Sequence, residues 1–227
     1  MRELEDRPLN VLDAGCGDGL LTLALARGHP RWSLVGVDVR DDLLAGARSR
    51  AAARGLTNVR FVPADLTGPP VATGLDVALA LECLSEIEDD RAVVAMLTAS
   101  LDPGGLLLVQ VPDESWTPVL PGSAPTWREQ VRQGYTDRSL RALLESAGLE
   151  VERVEPTYRT VAALAQEVRD CAKSTPLAVR ASLFPLFAAA PRLELAGAAW
   201  GRPKALFAVA RRPLDPATDP GTAGGGT

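Results

Sequence analysis

The sequence predicts a doubly wound α/β domain, and two observations point there. Short apolar runs alternate with longer segments of helical period, and the first apolar run passes through a glycine-rich loop straight into a helical segment. Strands buried on both faces of a parallel sheet read as continuous apolar sequence. The helices that cover such a sheet show an apolar stripe at a period of three to four residues. Strands are expected at 10–14, 32–38, 59–63, 75–81 and 105–111, each bounded by turn residues or by a change of period. Helices fall between them at 20–27, 41–54 and 87–100.

After Val111 the character changes. Segment 112–125 holds four prolines, two serines and a tryptophan, too irregular for a regular element, and is expected to loop over one edge of the sheet. A helix follows at 136–147, with Leu140, Leu143 and Leu144 on one face and Gly148 as its stop, then a sixth strand at 149–154. In 158–171 the apolar residues Val161, Leu164, Ala165 and Val168 recur at i, i+3, i+4 and i+7, one side of an amphipathic helix. A second helix at 176–190 is interrupted at Pro185, which cannot donate a backbone hydrogen bond. A seventh strand is expected at 205–210. Segment 213–227 has almost no apolar content to offset the entropy of ordering and is expected to be a disordered tail.

The 227 residues are 46% hydrophobic and 23% charged, enough to build the core of one large domain. Lys and Arg number 24 against 29 Asp and Glu, a net charge of -5 with no basic run, which argues against a surface built for nucleic-acid phosphates. No stretch reaches about 18 consecutive apolar residues. The start, Met1-Arg2-Glu3-Leu4-Glu5-Asp6, lacks the basic-then-apolar order of a signal peptide. A cytoplasmic protein without stable membrane insertion is expected. Cys16, Cys83 and Cys171 are odd in number and far apart, fitting neither a disulfide framework nor paired zinc-ligand spacing, so reduced thiols and no metal site are expected.

The most informative stretch is Val11-Leu12-Asp13-Ala14-Gly15-Cys16-Gly17-Asp18-Gly19-Leu20-Leu21. Its glycines allow a sharp turn and close approach of a ligand, while free amides at the helix start point toward it. The spacing is G-x-G-x-G, whereas a dinucleotide fingerprint wants its third small residue one step later, where bulky Leu20 stands. Asp13, two residues before the first glycine, would repel a pyrophosphate and suit a cation. The plain alternative is a tight strand-to-helix turn with no ligand.

With these residues the chain resembles the class I, seven-strand S-adenosylmethionine (SAM)-dependent methyltransferases. The resemblance covers roughly 10–157 and the last strand. It implies a Rossmann-like seven-stranded sheet, mostly parallel with an antiparallel last strand. It implies SAM as cofactor and S-adenosylhomocysteine (SAH) as product, with the cofactor against Asp13, Ala14, Gly15, Cys16, Gly17 and Gly19. Asp38 closes Val35-Gly36-Val37-Asp38, and the resemblance gives it the ribose hydroxyls, with Val39 beside it; by itself Asp38 would read as a helix N-cap, though Asp41 or Asp42 fits that cap better. Arg60-Phe61-Val62-Pro63-Ala64-Asp65-Leu66 is similar to the family's third motif, which points to Asp65 and Leu66 for the adenine, Asp65 alone being an ordinary exposed turn residue.

Ala80-Leu81-Glu82-Cys83-Leu84-Ser85-Glu86-Ile87 is similar to the family's small-molecule branch, but Ser85-Glu86 replaces its usual Glu-His pair. Gln130 likewise stands where a histidine is common, so no histidine base carries over. Glu82 is expected as a cofactor-side wall residue, Glu86 as the base for a hydroxyl acceptor, and Tyr135 as a pocket donor. Trp127, Tyr135 and Tyr158 are candidate walls of the acceptor pocket. His29 falls in the loop entering the second strand, the sheet edge opposite a ligand crevice, and is expected to be a surface residue. Cys16 and Cys83 read as small apolar fillers. The chain is thus expected to be a single domain, 1–212, with 112–135 and 158–203 as lid or acceptor-binding insertions, the later helices with Leu183 and Phe187 also offering a homodimer face. The expected function is methyl transfer to a small molecule, by O- or N-methylation in secondary or cell-surface metabolite biosynthesis. A non-catalytic partner subunit of the same fold and an NAD-dependent oxidoreductase are the alternatives.

Overall fold

Seven strands form one sheet: β1 (Asn10–Ala14), β2 (Ser33–Asp38), β3 (Val59–Pro63), β4 (Leu75–Leu81), β5 (Leu101–Pro112), β6 (Glu150–Thr157) and β7 (Ala205–Arg211). Their order is β3-β2-β1-β4-β5-β7-β6, and β7 alone runs antiparallel, between β5 and β6. This computed structural model describes residues 7–117, 131–157 and 203–215. The helices expected at 158–171 and 176–190, residues Trp127, Gln130 and Tyr158, and the tail beyond Asp215 lie outside the described residues. Among the described residues four α-helices accompany the sheet: α1 (Leu20–Gly28), α2 (Asp41–Ala53), α3 (Asp90–Ser100) and α4 (Asp137–Ser146).

The two-residue period of the strands sorts the core into two layers. Leu12, Ala14, Ala78, Leu107 and Val109 join Val93, Leu97, Leu140 and Leu144 from α3 and α4. On the other face Val11, Leu34 and Leu79 meet Ala26 of α1, and Phe61 packs with Leu23 of α1 and Leu44, Ala47 and Ala51 of α2. Each fully buried leucine here contributes about 1.5–3 kcal/mol relative to exposure. Strand order reverses between β1 and β4, and this opens a crevice at the carboxyl ends of the strands.

Several boundaries move from their expected places for local reasons. α3 starts at Asp90 rather than 87, because the Asp89 side chain accepts from Ala92 N at 2.9 Å and caps the helix there. The residues before it, Leu84–Glu86, form a single 3₁₀ turn. Thr136 lies outside α4 as its cap: its hydroxyl accepts from Ser139 N at 3.0 Å while the Ser139 hydroxyl accepts from Thr136 N at 2.9 Å. β5 begins at Leu101 rather than 105, since Leu101 pairs with Leu75, and Gly104 and Gly105 exchange backbone bonds with Arg212. No described helix is long and apolar enough to cross a membrane.

His29 sits in the α1–β2 connection, where its ring stacks on Trp32 with centroids 3.8 Å apart. That connection feeds the amino end of β2, so the crevice lies at the opposite end of the strand. His29→Ala is therefore expected to keep both turnover and its pH profile, as read by the SAH-release assay described below; loss of activity in a folded variant would mean the strand direction is wrong.

Candidate active site

The glycine loop is lashed to the end of β2. Gly15 N and Cys16 N both donate to Val37 O, at 2.8 and 2.9 Å, and Gly17 N donates to the Asp38 carboxylate at 2.8 Å. Gly15 takes φ 71°, and a Cβ there would fall 2.5 Å from Cβ of Cys83, so the loop rests directly on the residue that leaves β4. The Phe61 ring occupies the space a Cβ on Gly19 or Gly36 would need, at 2.7 and 2.6 Å. These two glycines let the loop and β2 close over an aromatic floor.

The loop borders a cleft of about 310 Å³, of the size of a small-molecule site. Carboxylates mark the ends of three strands around it: Asp38 closing β2, Asp65 after β3 and Glu82 after β4. Glu86 adds a fourth, from the 3₁₀ turn, and Leu66, Leu81, Cys83 and Ile87 give the apolar surface. Among the described residues Arg40 is the one cationic side chain on this lining, and its Nε lies 3.3 Å from Asp38. A pyrophosphate would face four carboxylates here. An ammonium, a sulfonium and a ribose diol fit the same donor set, so the residues present suit SAM.

The carboxylates differ in environment. Burial pushes Asp38 up, but bonds from the amides of Arg40 and Gly17 and from the Arg40 side chain outweigh it and hold the carboxyl below its usual range. Asp65 is exposed and also held below its usual range, by bonds from the Thr67 amide and hydroxyl, both 2.8 Å long. It is thus both the turn residue and a lining residue. Glu82 is pushed up by burial, opposed by its 2.7 Å bond from Gln110 Nε2 and by Lys204. Its backbone takes φ 64°, a strained value for a residue with a side chain.

Six expected site residues are not on this lining: Ala14 is fully buried in the core, Cys16, Gly17 and Gly19 stay in the loop off the lining, and Asp13 and Tyr135 stand elsewhere. Asp13 is buried at 3% exposure beneath the loop, on the α1 face of β1, where its carboxylate accepts from the Thr22 hydroxyl at 2.5 Å. It ties β1 to α1 and does not line the cleft. Tyr135 is buried too, with its hydroxyl donating to Asp90 at 2.8 Å and accepting from Arg132 at 2.9 Å. Burial pushes that phenol up to about 12, and its ring packs the core instead of donating into the cleft. Val39 and Glu86 do line the cleft, as expected. Arg40, Leu81 and Ile87 line it without any sequence signal marking them beforehand. Among the described residues no group of three or more His, Cys, Asp or Glu is placed to hold a metal ion.

The thiols behave as fillers. Burial, then the nearby Asp13 and Asp38 charges, push Cys16 up to about 12, and burial with Asp13 does the same for Cys83. At pH 8 their thiolate fractions should fall roughly a thousandfold below that of an ordinary cysteine. Native-state alkylation with iodoacetamide, read by peptide mass spectrometry, is expected to leave both unmodified over the time that labels free cysteine; fast labelling of Cys16 would show a more open loop.

Comparison with known proteins agrees with this geometry. A methyltransferase domain family matches residues 1–154. Trans-aconitate 2-methyltransferase of Acidovorax sp. (strain JS42) is 30% identical over 182 residues, 75% of this chain and 69% of that protein. The enzyme of the same name from Escherichia coli (strain K12 / DH10B) is 32% identical over 158 residues, 65% of this chain and 59% of that protein. Among solved structures, the cyclase SpnF superposes with a TM-score of 0.69 at 24% identity, over 93% of this chain and 78% of that one. Haemonchus contortus phosphoethanolamine N-methyltransferase 2, in complex with SAM, gives 0.68 at 17% identity, over 92% and 49%. These two share the fold. The family match over two thirds of the chain, the carboxylate-fringed glycine loop and the β3-β2-β1-β4-β5-β7-β6 sheet place the chain in the class I SAM-dependent methyltransferase family.

Proposed function

We propose that this enzyme transfers a methyl group to an oxygen of a small-molecule acceptor, with a carboxylate as the favoured nucleophile. Bound SAM supplies a methyl group on a sulfonium, open to in-line displacement. The chain's own part is placement and exclusion of water, which can supply roughly 7–11 kcal/mol. Gly15 and Gly17 let the cofactor approach the backbone, Asp38 accepts from the ribose diol, and Asp65 with the Leu66 amide takes the adenine edge. Leu81, Cys83 and Ile87 keep water from the reacting centre.

The observation that carries the choice of nucleophile is the absence of a histidine from the described cleft, the chain's single one being stacked on Trp32 at the far edge of the sheet. A carboxylate is ionised at neutral pH and has no proton to give up, so it needs no base. The trans-aconitate 2-methyltransferase relatives, named for an acid, support this reading. A hydroxyl acceptor is the second reading, favoured by Glu86 at the cleft wall, which would take its proton.

SAH release with a panel of small di- and tricarboxylic acids, trans-aconitate included, and a parallel panel of phenols and alcohols should separate the two. Carboxylate methylation is expected to be flat between pH 6 and 9 and to survive Glu86→Gln within about twofold; hydroxyl methylation through Glu86 would lose about 10²–10⁴ in rate in that variant. Turnover of amines alone would overturn both.

Cofactor binding has its own checks. Asp38→Ala removes charge-assisted bonds worth about 1.5–3 kcal/mol each and should weaken SAM at least tenfold by calorimetry. At Gly17 a Cβ would meet only Arg40, at 3.9 Å, but φ 55° strains any side chain there, so Gly17→Val is read by calorimetry with thermal unfolding beside it; normal SAM affinity in a folded variant would move the cofactor elsewhere.

A further inference from the structure

The turn between β4 and α3 satisfies only the Cys83 and Leu84 carbonyls internally, and one short segment supplies donors to Ser85, Ile87 and Glu88. Val131 N donates to Ser85 O at 3.0 Å, and Arg132 Nη2 donates to the carbonyls of Ile87 and Glu88 at 3.0 and 2.7 Å. The Tyr135 hydroxyl stands 3.3 Å from the Leu84 carbonyl. The second arm of the guanidinium pairs with Asp90 and donates to the Tyr135 hydroxyl, and the group lies 5.5 Å from the centroid of that ring. The segment is itself fixed to the end of β5, where Tyr135 N donates to Pro112 O at 2.9 Å and Glu114 N to Tyr135 O at 3.0 Å. The other side of the same turn presents Glu86 and Ile87 to the cleft.

We propose that Arg132 is a positioning residue, whose guanidinium fixes the cleft wall formed by Glu86 and Ile87 and so ties the segment after β5 to the reacting centre. The turn has little stiffness of its own. Its two internal bonds, Glu86 N to Cys83 O at 3.0 Å and Ile87 N to Leu84 O at 3.4 Å, are of the 3₁₀ kind, and the second is long. Only a planar fork can satisfy Ile87, Glu88, Asp90 and Tyr135 at once; a lysine ammonium on a flexible stem cannot span them. Without that fork two carbonyls lose their donors and the turn is free to open.

Arg132→Met alone strands the half-buried Asp90 carboxylate, so the test uses Arg132→Met with Asp90→Asn, which removes the charge and keeps a partner for the Tyr135 hydroxyl. Three quantities are read on the full chain: amide exchange without ligand, SAH affinity by calorimetry, and thermal unfolding. The double variant is expected to unfold cooperatively, with amides of Glu86 and Ile87 exchanging at least roughly tenfold faster while β1 and β4 keep their protection. SAH affinity should fall about five- to tenfold, and Arg132→Lys should recover only part of both effects. Wild-type exchange at Glu86 and Ile87 in the folded double variant, or faster exchange with unchanged SAH affinity, would overturn the proposal. The affinity arm rests on SAM occupying this cleft. If SAH fails to bind the wild-type chain, the cofactor assignment falls, while the exchange arm still decides the role of Arg132.

Discussion

The hydrogen bond from Gly17 N to the Asp38 carboxylate, with the paired bonds from Gly15 and Cys16 to Val37 O, is the constraint on which the site depends. It joins a loop leaving β1 to the end of β2, the neighbour on one side of the point where strand order reverses. Charge-assisted bonds of this kind are about twice as strong as neutral ones, and this one is largely shielded from water. Because the loop amides of Gly15, Cys16 and Gly17 are spent on the β2 side, the loop is fixed with Gly15 on the lining of the crevice toward β4. The contact of Gly15 with Cys83 then sets how close the two halves of the crevice stand.

Two carboxylates flank the loop, Asp38 bonded to Gly17 within it and Asp13 to Thr22 in the helix that follows it, and they titrate in opposite senses. Asp38 is depressed, so the stability it adds is fully present above the unfolded value near 3.9 and is lost as pH falls through its lower folded value. Asp13 is raised by burial, with its bond from Thr22 opposing and the Asp38 charge adding to the rise. Its contribution is fully present below the unfolded value and is lost as pH rises through the folded one. The loosening of the loop in acid is therefore set by Asp38, the carboxylate bonded to it.

Much of this was legible because parallel strands are written as apolar runs and glycine loops as spaced glycines; β1, β3 and β4 fall where the sequence puts them. What stayed hidden has physical causes. Ile87 reads as the first apolar residue of a helix, but it is a cleft wall, and Asp89 starts the helix later. Asp102-Pro103-Gly104-Gly105 reads as a turn, yet Arg212 from the far end of the chain gives it a partner. The two-residue period could not tell Asp13 from Asp38, since the register sets Asp13 beside Gly36 and so on the same face as Asp38; Asp13 is buried because it lies two rungs deeper in the sheet. Tyr135 could not have been placed at all from spacing, because Asp90 lies 45 residues away and no local pattern records it.

Glu82 shows why the two halves of the site meet where they do. A left-handed backbone at a residue with a side chain costs about 1–3 kcal/mol, and such strain persists only where the surroundings over-determine it. Here Gln110 holds both ends: its carbonyl accepts from Glu82 N at 2.8 Å and its amide donates to the carboxylate at 2.7 Å. The reversal ends β4 abruptly, seats Cys83 against Gly15, and sends the chain into the turn that carries Glu86. An unstrained residue would let β4 run on beside β5 and would carry that turn away from the loop. The strain at Glu82 is thus the local condition for the glycine loop and the wall of Glu86 and Ile87 to share one cleft, with the first bonded to Asp38 and the second to Arg132.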